Sequence, residues 1–452
     1  MFCRIRPFAA YGGHAETDEV QSKQLDGWDD KSVSVATQFM FSKGKNTYDF
    51  PRAVFPPEAT QQQVFEGVAP PVIDALTRQD DGCNVVMFAY GQTGTGKTHT
   101  MFGPDSSLAS GATFDENWGL FPRLVHAVFE TLTKKSASDG GNTKFVVTAS
   151  AIEFYLTLAF DLLAANAPIL IDRNHKPVGQ TIVEFNDVRD LMPFLVNVRK
   201  NRTSRSTQMN SKTDDHDGSS RSHAALILTI RQHDVAASKV SETRLTLMDL
   251  AGAERPDKPV NQTSKQKKDD EFITMLSSTG GGGDMRGEQL GDLRSRSIST
   301  RAQAGVINFE LTMLSAEIRK AGESHRKGRK YSPPMQNCPD MIKFLGSCFT
   351  GKELMSLMVA LSPSGNNGWE TWFSCQYGTD LSKLSAPVKP VKKKALDKAL
   401  KAAEKKSKEA SEKLAKNMKA TAGGALKYRL LLQCQAKTAE LDLKFLKLLA
   451  ER

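Results

Sequence analysis

The sequence predicts an α/β protein: a central sheet with helices on both faces, followed by a helical C-terminal segment. Three observations predict it. The apolar run CNVVMFAY, residues 83–90, reads as a buried strand that ends in a glycine-rich loop. The runs HAALILTIRQ (223–232) and RLTLMDLAG (244–252) read as adjacent strands rich in Leu, Ile and Thr. GLFPRLVHAVFETLTKK (119–135) carries apolar residues at helical spacing, so strands and helices alternate around the loop.

The remaining segments follow in order. Met1 to Pro7 reads as a strand entered at once, not as a signal peptide or an Arg-rich leader. Residues 136–144 form a turn, and the polar stretch 211–218 (SKTDDHDG) reads as an inserted loop. Residues 255–305 are polar and Gly-rich, a length expected of a functional or a disordered segment. The Pro- and Lys-rich stretch 386–394 is a linker, and 395–452 is helical. Its first helix sets Leu396, Leu400, Ala403, Ser407, Ala410 and Leu414 on one side, a seam of mostly small residues that is weak for a coiled coil. Gly423 and Gly424 interrupt the pattern. A second helix follows with Leu432, Ala436, Ala439, Leu443 and Leu446 along one side. The two helices form a hairpin or lie end to end. The first is expected to be solvated, and the second to bury its stripe on a helical partner or a second copy.

Composition narrows the class. Of 452 residues, 39% are hydrophobic and 25% charged, ordinary values for a soluble protein. No run reaches about 18 apolar residues, so no membrane span is expected. The six cysteines are scattered without a C-x-x-C, which favours reduced thiols in a cytosolic protein. Residues 386–452 hold 18 Lys and Arg against 7 Asp and Glu, a net +11, while the rest of the chain stands at −1. Tyr428 and Phe445 are the only aromatics of that basic segment, so no stacking platform for nucleic acid is expected.

The chemistry begins at Gly91-Gln92-Thr93-Gly94-Thr95-Gly96-Lys97-Thr98, a full G-x-x-x-x-G-K-[ST] match after a strand. The glycines let backbone N–H groups face a phosphate. Lys97 reaches the β/γ oxygens, and the Thr98 hydroxyl suits Mg²⁺. LMDLAGAE (247–254) offers Asp249 at a strand end and then Gly252, a D-x-x-G that sets an acid near the metal and a backbone N–H near the γ-phosphate. SSRSH (219–223) adds two hydroxyls, a cation and an imidazole.

Taken in this order, these segments resemble the kinesin motor domain over residues 1 to about 385. RIRP (4–7) is similar to the family's adenine-side R-x-R-P, which implies that Arg4 and Pro7 flank the base. FPPEATQQQVFEGVAPPVIDAL (55–76) resembles the segment that leads to the phosphate loop, and FAYGQTGTGKTHTM is nearly the family signature. His99 falls where the family packs a side chain near adenine. NRTSRSTQMN (201–210) with SSRSH resembles switch I, DLAGAE resembles switch II, VINFELTMLSAEI (306–318) resembles the switch II helix, and LMVALSPS (357–364) resembles a later core strand.

The resemblance implies a P-loop NTPase of the kinesin type with ATP and Mg²⁺ as cofactors. Gln92, Thr93, Gly94, Thr95, Gly96, Lys97 and Thr98 would line the phosphates. Thr98 and Ser220 would hold Mg²⁺, with Asp249 acting through water. Ser219 and the Gly252 N–H would position the attacking water and sense the γ-phosphate. Arg221 and Glu254 would form the salt bridge that closes the switches.

The chain also departs from that pattern. Eight residues separate Asn210 from Ser219, where the family has about two. Ala253 stands for a Ser. Glu254 and Asn308 are 54 positions apart, roughly 35 more than the family needs. The family's I-N-K-S-L reads Ile307-Asn308-Phe309-Glu310-Leu311, and its E-I-Y-N-E reads Glu153-Phe154-Tyr155-Leu156-Thr157. Its track-facing Y-R-D-S-K-L-T-R reads Gln336 to Lys343, with Asn337 for Arg and Asp340 for Lys. An exposed cation is therefore expected to give way to an exposed anion, which weakens attraction to acidic tubulin. Lys265, Lys267, Lys268, Arg286, Arg294, Arg296 and Arg301 in the long insertion would offer a substitute contact, as would the +11 tail, though neighbouring acids dilute the insertion's charge.

Two functions compete. One is a microtubule-associated ATPase that couples Mg-ATP hydrolysis to movement, with activity the insertions would reduce. The other is a weakly motile or static microtubule-bound component. Either implies microtubules as partner and a cytoplasmic, cytoskeletal location, with an axoneme or other stable array as one setting.

Overall fold

A computed structural model describes residues 1–7, 25–36, 45–78, 80–104, 106–107, 114–209, 221–252, 300–336, 338–363, 368–384, 388–417 and 424–452. Both long insertions of the sequence reading, and Asn337, lie outside or largely outside these residues.

Eleven strands form one mixed sheet. In chain order they are β1 (Phe2–Ile5), β2 (Ala53–Phe55), β3 (Asn84–Tyr90), β4 (Thr143–Tyr155), β5 (Leu158–Asp161), β6 (Ala167–Pro168), β7 (Val183–Phe185), β8 (His223–Asp234), β9 (Lys239–Asp249), β10 (Glu353–Leu361) and β11 (Lys394–Ala395). The main path runs β2-β1-β10-β3-β9-β8-β4-β5-β6, with β7 on β4 and β11 on β9. β1, β2, β3, β9 and β10 pair in parallel; β8 is antiparallel to β9 and to β4. The predicted strands 83–90, 223–232 and 244–252 are β3, β8 and β9, and the last two are neighbours as expected.

The two faces follow from strand alternation. Leu226, Leu228, Leu245 and Leu247 point to one face, covered by α1 (Gln61–Thr77), α3 (Leu120–Ser138) and α4 (Leu191–Met209). Between α1 and α3 lies the short α2 (Lys97–Met101). Ala225, Ile227, Met248 and Phe88 point to the other face, against α5 (Thr300–Arg326), α6 (Asp340–Leu345) and α7 (Gly368–Ser382). α1 starts where Thr60 and Gln63 cap each other's backbone N–H, a signal visible in the sequence TQQQ.

The C-terminal segment resolves the open alternatives. α8 (Leu396–Asn417) and α9 (Gly424–Glu451) pack as a hairpin, with Lys406 against Asp442 and Glu404 against Lys447. Part of the stripe on α9 is covered by the chain's own sheet. Phe445 and Leu449 are buried on Val146 of β4 and Val240 of β9, together with Leu396 and Ala399. The buried side is turned from the predicted one: Leu432 and Ala439 are inside, whereas Ala436, Leu443 and Leu446 are half-buried. The linker lies on the body as well. Val391 N–H donates to Gly82 O (2.7 Å), Lys389 N–H to Gly351 O (3.1 Å), and β11 pairs with the start of β9. Among the described residues no helix is long and apolar enough to cross a membrane. All six cysteines are unpaired and buried, and burial raises the Cys3, Cys348 and Cys375 thiols above their ordinary values.

One expectation about the surface fails. Asp340 is buried, not an exposed anion. It opens α6, accepts the Ala159 N–H (3.2 Å), and holds the Lys343 ammonium at 2.9 Å. Its charge is spent inside the fold, tying α6 to β5. The Lys343 charge is spent with it, since that side chain is only 14% exposed.

Candidate nucleotide site

The site grows from the end of β3. Every residue of that strand after Asn84 is buried, so the chain leaves the sheet at a fixed point and turns through residues 91–96. Gly96 takes a left-handed φ of 87° immediately before α2, a conformation costly for any residue with a Cβ. Lys97 follows, 7% exposed. Its ammonium donates to Gly91 O (2.9 Å) and Gln92 O (2.8 Å), both on the loop itself. Thr98 points the other way, and its hydroxyl donates to Asp249 Oδ2 at 2.8 Å.

Asp249 is the last residue of β9, in register with Ala89 of β3. Parallel pairing of the two strands therefore brings the acid of D-x-x-G beside the phosphate loop, as the sequence reading required. Beyond it, Gly252 packs directly on the loop. A Cβ there would fall 2.4 Å from Thr93 Oγ1 and 2.6 Å from Thr93 N, so any side chain would push the two turns apart.

Arg202, about two turns before the end of α4 (Leu191–Met209), joins the site although the sequence assigns it no role. Its guanidinium donates to the same Asp249 Oδ2 at 2.9 Å and to Ser222 O at 3.1 Å. Ser222 in turn donates to Glu153 Oε1 (2.8 Å), at the end of β4. A lone Arg within a helix gives no periodic signal, which is why its place was not legible. Arg221 lies half-buried at the same end of β8. Ser219, Ser220 and Glu254 lie outside the described residues, so the proposed Ser220 ligand and the Arg221–Glu254 pair are not described.

The adenine-side residues divide. Arg4 is buried and donates to Gln61 Oε1 (2.9 Å), Thr100 Oγ1 (3.1 Å) and Ala59 O (3.3 Å). Burial lowers its guanidinium to about 10. Gln61 Nε2 lies 3.2 Å from His99 Nδ1 and donates to His99 O (2.7 Å). Burial, then the charge of Arg4, lowers the His99 pKa and favours the neutral ring. Pro7 is exposed past the end of β1. Gln61 and Thr100 were missed: each reads as an ordinary helix residue until the fold brings it to Arg4.

The residues present fit a nucleotide with Mg²⁺. Asp249 Oδ1, Thr93 Oγ1 and Gln92 Oε1 are buried without a hydrogen-bond partner among the described residues. The Asp249 carboxylate and the Thr98 hydroxyl beside it are hard oxygen donors of the kind a partly hydrated Mg²⁺ takes.

A phosphate loop after a central parallel strand, with an acid on the neighbouring strand, defines the P-loop nucleotide-binding class. The family description "Kinesin motor domain" matches residues 4–277, and the chain belongs to that family. Kinesin-related protein 7 of Dictyostelium discoideum is 28% identical over 389 residues, 84% of this chain and 25% of that protein. Carboxy-terminal kinesin 2 of Xenopus laevis is 29% identical over 298 residues, 62% of this chain and 43% of that protein. The chain spans about a quarter of the length of the first curated relatives it matches. A solved structure of a fast kinesin superposes with a TM-score of 0.61 at 23% identity, covering 86% of this chain and 92% of that one, which shows the fold.

Proposed function

We propose that the chain is a microtubule-associated Mg-ATPase, with residues 1–385 as the motor, 386–394 as its neck linker and 395–452 as a helical tail. The observation that carries this reading is the meeting of Thr98, Asp249 and Gly252 on one phosphate loop. ATP binding would draw the Lys97 ammonium off the Gly91 and Gln92 carbonyls and onto phosphate oxygens. The loop backbone over 92–96 would take the remaining phosphate charge. Mg²⁺, when bound, would supply neutralisation of phosphate charge. Thr98 and Ser220 would hold it, and Asp249 would orient one of its waters. The Gly252 N–H and Ser219 would orient the attacking water in line, and Arg221 with Glu254 would close the site. Arg4, Pro7 and His99 would frame the base.

A second reading has its own observation. The neck is strand-paired to β9 and capped by a hairpin seated on the sheet, an arrangement that resists the swing a stepping motor needs. In that reading the chain binds the lattice with little or no movement. Steady-state ATP turnover of the full chain, with and without microtubules at low and physiological salt, separates the two. Strong stimulation supports the motor. Binding without stimulation supports the static component, and absence of both overturns the microtubule assignment.

A further inference from the structure

The resemblance leaves Glu310 unexplained: the family has Ser there, and a carboxylate in a helix buried on a sheet is costly unless it is held. Glu310 is 1% exposed on α5. Its Oε2 lies 3.3 Å from Nε2 of His223, the first residue of β8, which is fully buried. The other ring nitrogen is already taken. His223 Nδ1 accepts the Ala251 N–H at 2.9 Å. A backbone N–H can only donate, so Nδ1 carries no proton and the ring proton sits on Nε2, facing Glu310.

Ala251 is a sensitive place for such a contact. Leu250 still donates to Ala89 O in the sheet, at 3.2 Å. The next N–H goes to His223 instead, so that side chain sets the direction in which β9 leaves the sheet. The residue after it is Gly252, whose Cα abuts Thr93 of the phosphate loop. A chain of contacts thus runs from α5 through one carboxylate, one imidazole and one peptide to the loop. It is not fully made in this conformation. Glu310 Oε1 is buried without a hydrogen-bond partner among the described residues, and the His223 Nε2 contact is within hydrogen-bond distance but not aligned as one. At 3.3 Å the distance already suffices, so completing the bond takes a reorientation of the carboxylate or the ring.

We infer that Glu310 is a positioning residue that ties α5, through His223, to the Ala251–Gly252 peptide, so that the helix and the phosphate-facing turn move together. The inference rests on the assignment of Gly252 to the γ-phosphate. In a chain with Ser at this position the tie would be shorter and uncharged. Here a small displacement of α5 changes a charge-assisted contact in a dry site, where it counts more than at a surface.

Two readouts on the full chain test it. The first is amide hydrogen exchange, by mass spectrometry, of peptides covering 248–252, with 226–230 as an internal control. The second is the ratio of affinities for a slowly hydrolysed ATP analogue and for ADP. Glu310→Ala should speed exchange at 248–252 by about tenfold, leave 226–230 unchanged, and cut the triphosphate preference by about fivefold. Glu310→Gln keeps an acceptor for the Nε2 proton and should hold both readouts within about twofold. His223→Ala should match Glu310→Ala, and the double variant should be no worse than His223→Ala alone. Should Glu310→Ala fail to fold, Glu310→Ser takes its place. Unchanged exchange, failure of Gln to rescue, or additive effects would overturn the tie. Faster exchange with an unchanged affinity ratio supports the tie and overturns the role given to Gly252. A wild-type chain that binds neither nucleotide overturns the ATPase reading, and the exchange result then decides the tie alone.

Discussion

The two ends of strands β8 and β9 are built differently. At one end Thr98 and Arg202 share a single oxygen of Asp249, and Lys97 leans on two carbonyls of its own loop. At the other end Arg231 holds Glu242 at 2.9 Å and Asp442 at 3.3 Å and lies over the Phe445 ring, while Val146, Val240, Leu396 and Leu449 exclude water. On β9 (Lys239–Asp249) Asp249 lies seven positions from Glu242 and nine from Val240, about 23–30 Å of the same strand. The contacts at the first end are ones a phosphate and a cation can take over. Those at the second are committed to the fold. One sheet thus keeps an exchangeable polar end and a fixed apolar end.

Substitutions that should hit one end and spare the other test this contrast. The largest effect is expected at the tail. Phe445→Ala should cost about 3–5 kcal/mol in urea unfolding and leave nucleotide affinity unchanged; a parallel loss of affinity would mean the ends are not independent. Lys97→Ala should lower ATP turnover at least about a hundredfold with the unfolding midpoint nearly unmoved. Retained turnover would remove Lys97 from the mechanism. Asp340→Asn sharpens the contrast at a third place, since it leaves the Lys343 ammonium in a mostly buried site without its carboxylate. A loss of about 1–3 kcal/mol is expected, and better microtubule co-sedimentation without loss of stability would restore Asp340 to the surface.

The smallest effect concerns pH. The Arg231 charge holds the Glu242 carboxyl at about 2, below its ordinary value. A lowered folded-state pKa means the pair stabilises the fold above the ordinary carboxylate range, and that contribution is lost as pH falls toward about 2. Glu242 is nearly half exposed, so the gain is small and sensitive to salt. The unfolding free energy of Glu242→Gln should depend less on pH between 5 and about 2.5 than that of the wild type. Identical slopes would show the pair to be energetically idle.

Much of the fold was legible because its signals are local. The buried run of β3, the alternation in β8 and β9 and the turn at Gly96 depend on neighbours in sequence. Within the site, Lys97, Thr98, Asp249 and Gly252 were found because motif spacing encodes the strand ends that carry them. Arg202, Gln61 and Glu153 were not, because only the packing of α4, α1 and β4 brings them near. Asp340 was misread for the same reason: a charge in a sequence looks solvated until a helix start buries it. The tail stripe was correctly seen as needing cover, but which surface covers it depends on contacts more than 200 residues apart, such as Arg231 with Asp442.

The length of α5 gives the Glu310 contact a mechanical meaning. The helix has 27 residues, about 40 Å of stiff rod. Glu310 sits about 15 Å from its first residue and about 24 Å from its last. A rod held at such a point is a lever with unequal arms. A tilt that moves the short end by 1 unit moves the far end by about 1.6 units in the opposite direction. A loop adjustment passed through Glu310 enters the rod at this inner point, and the motion of Arg326 is then set by where Ile318 and Ala321 hold the helix in the core.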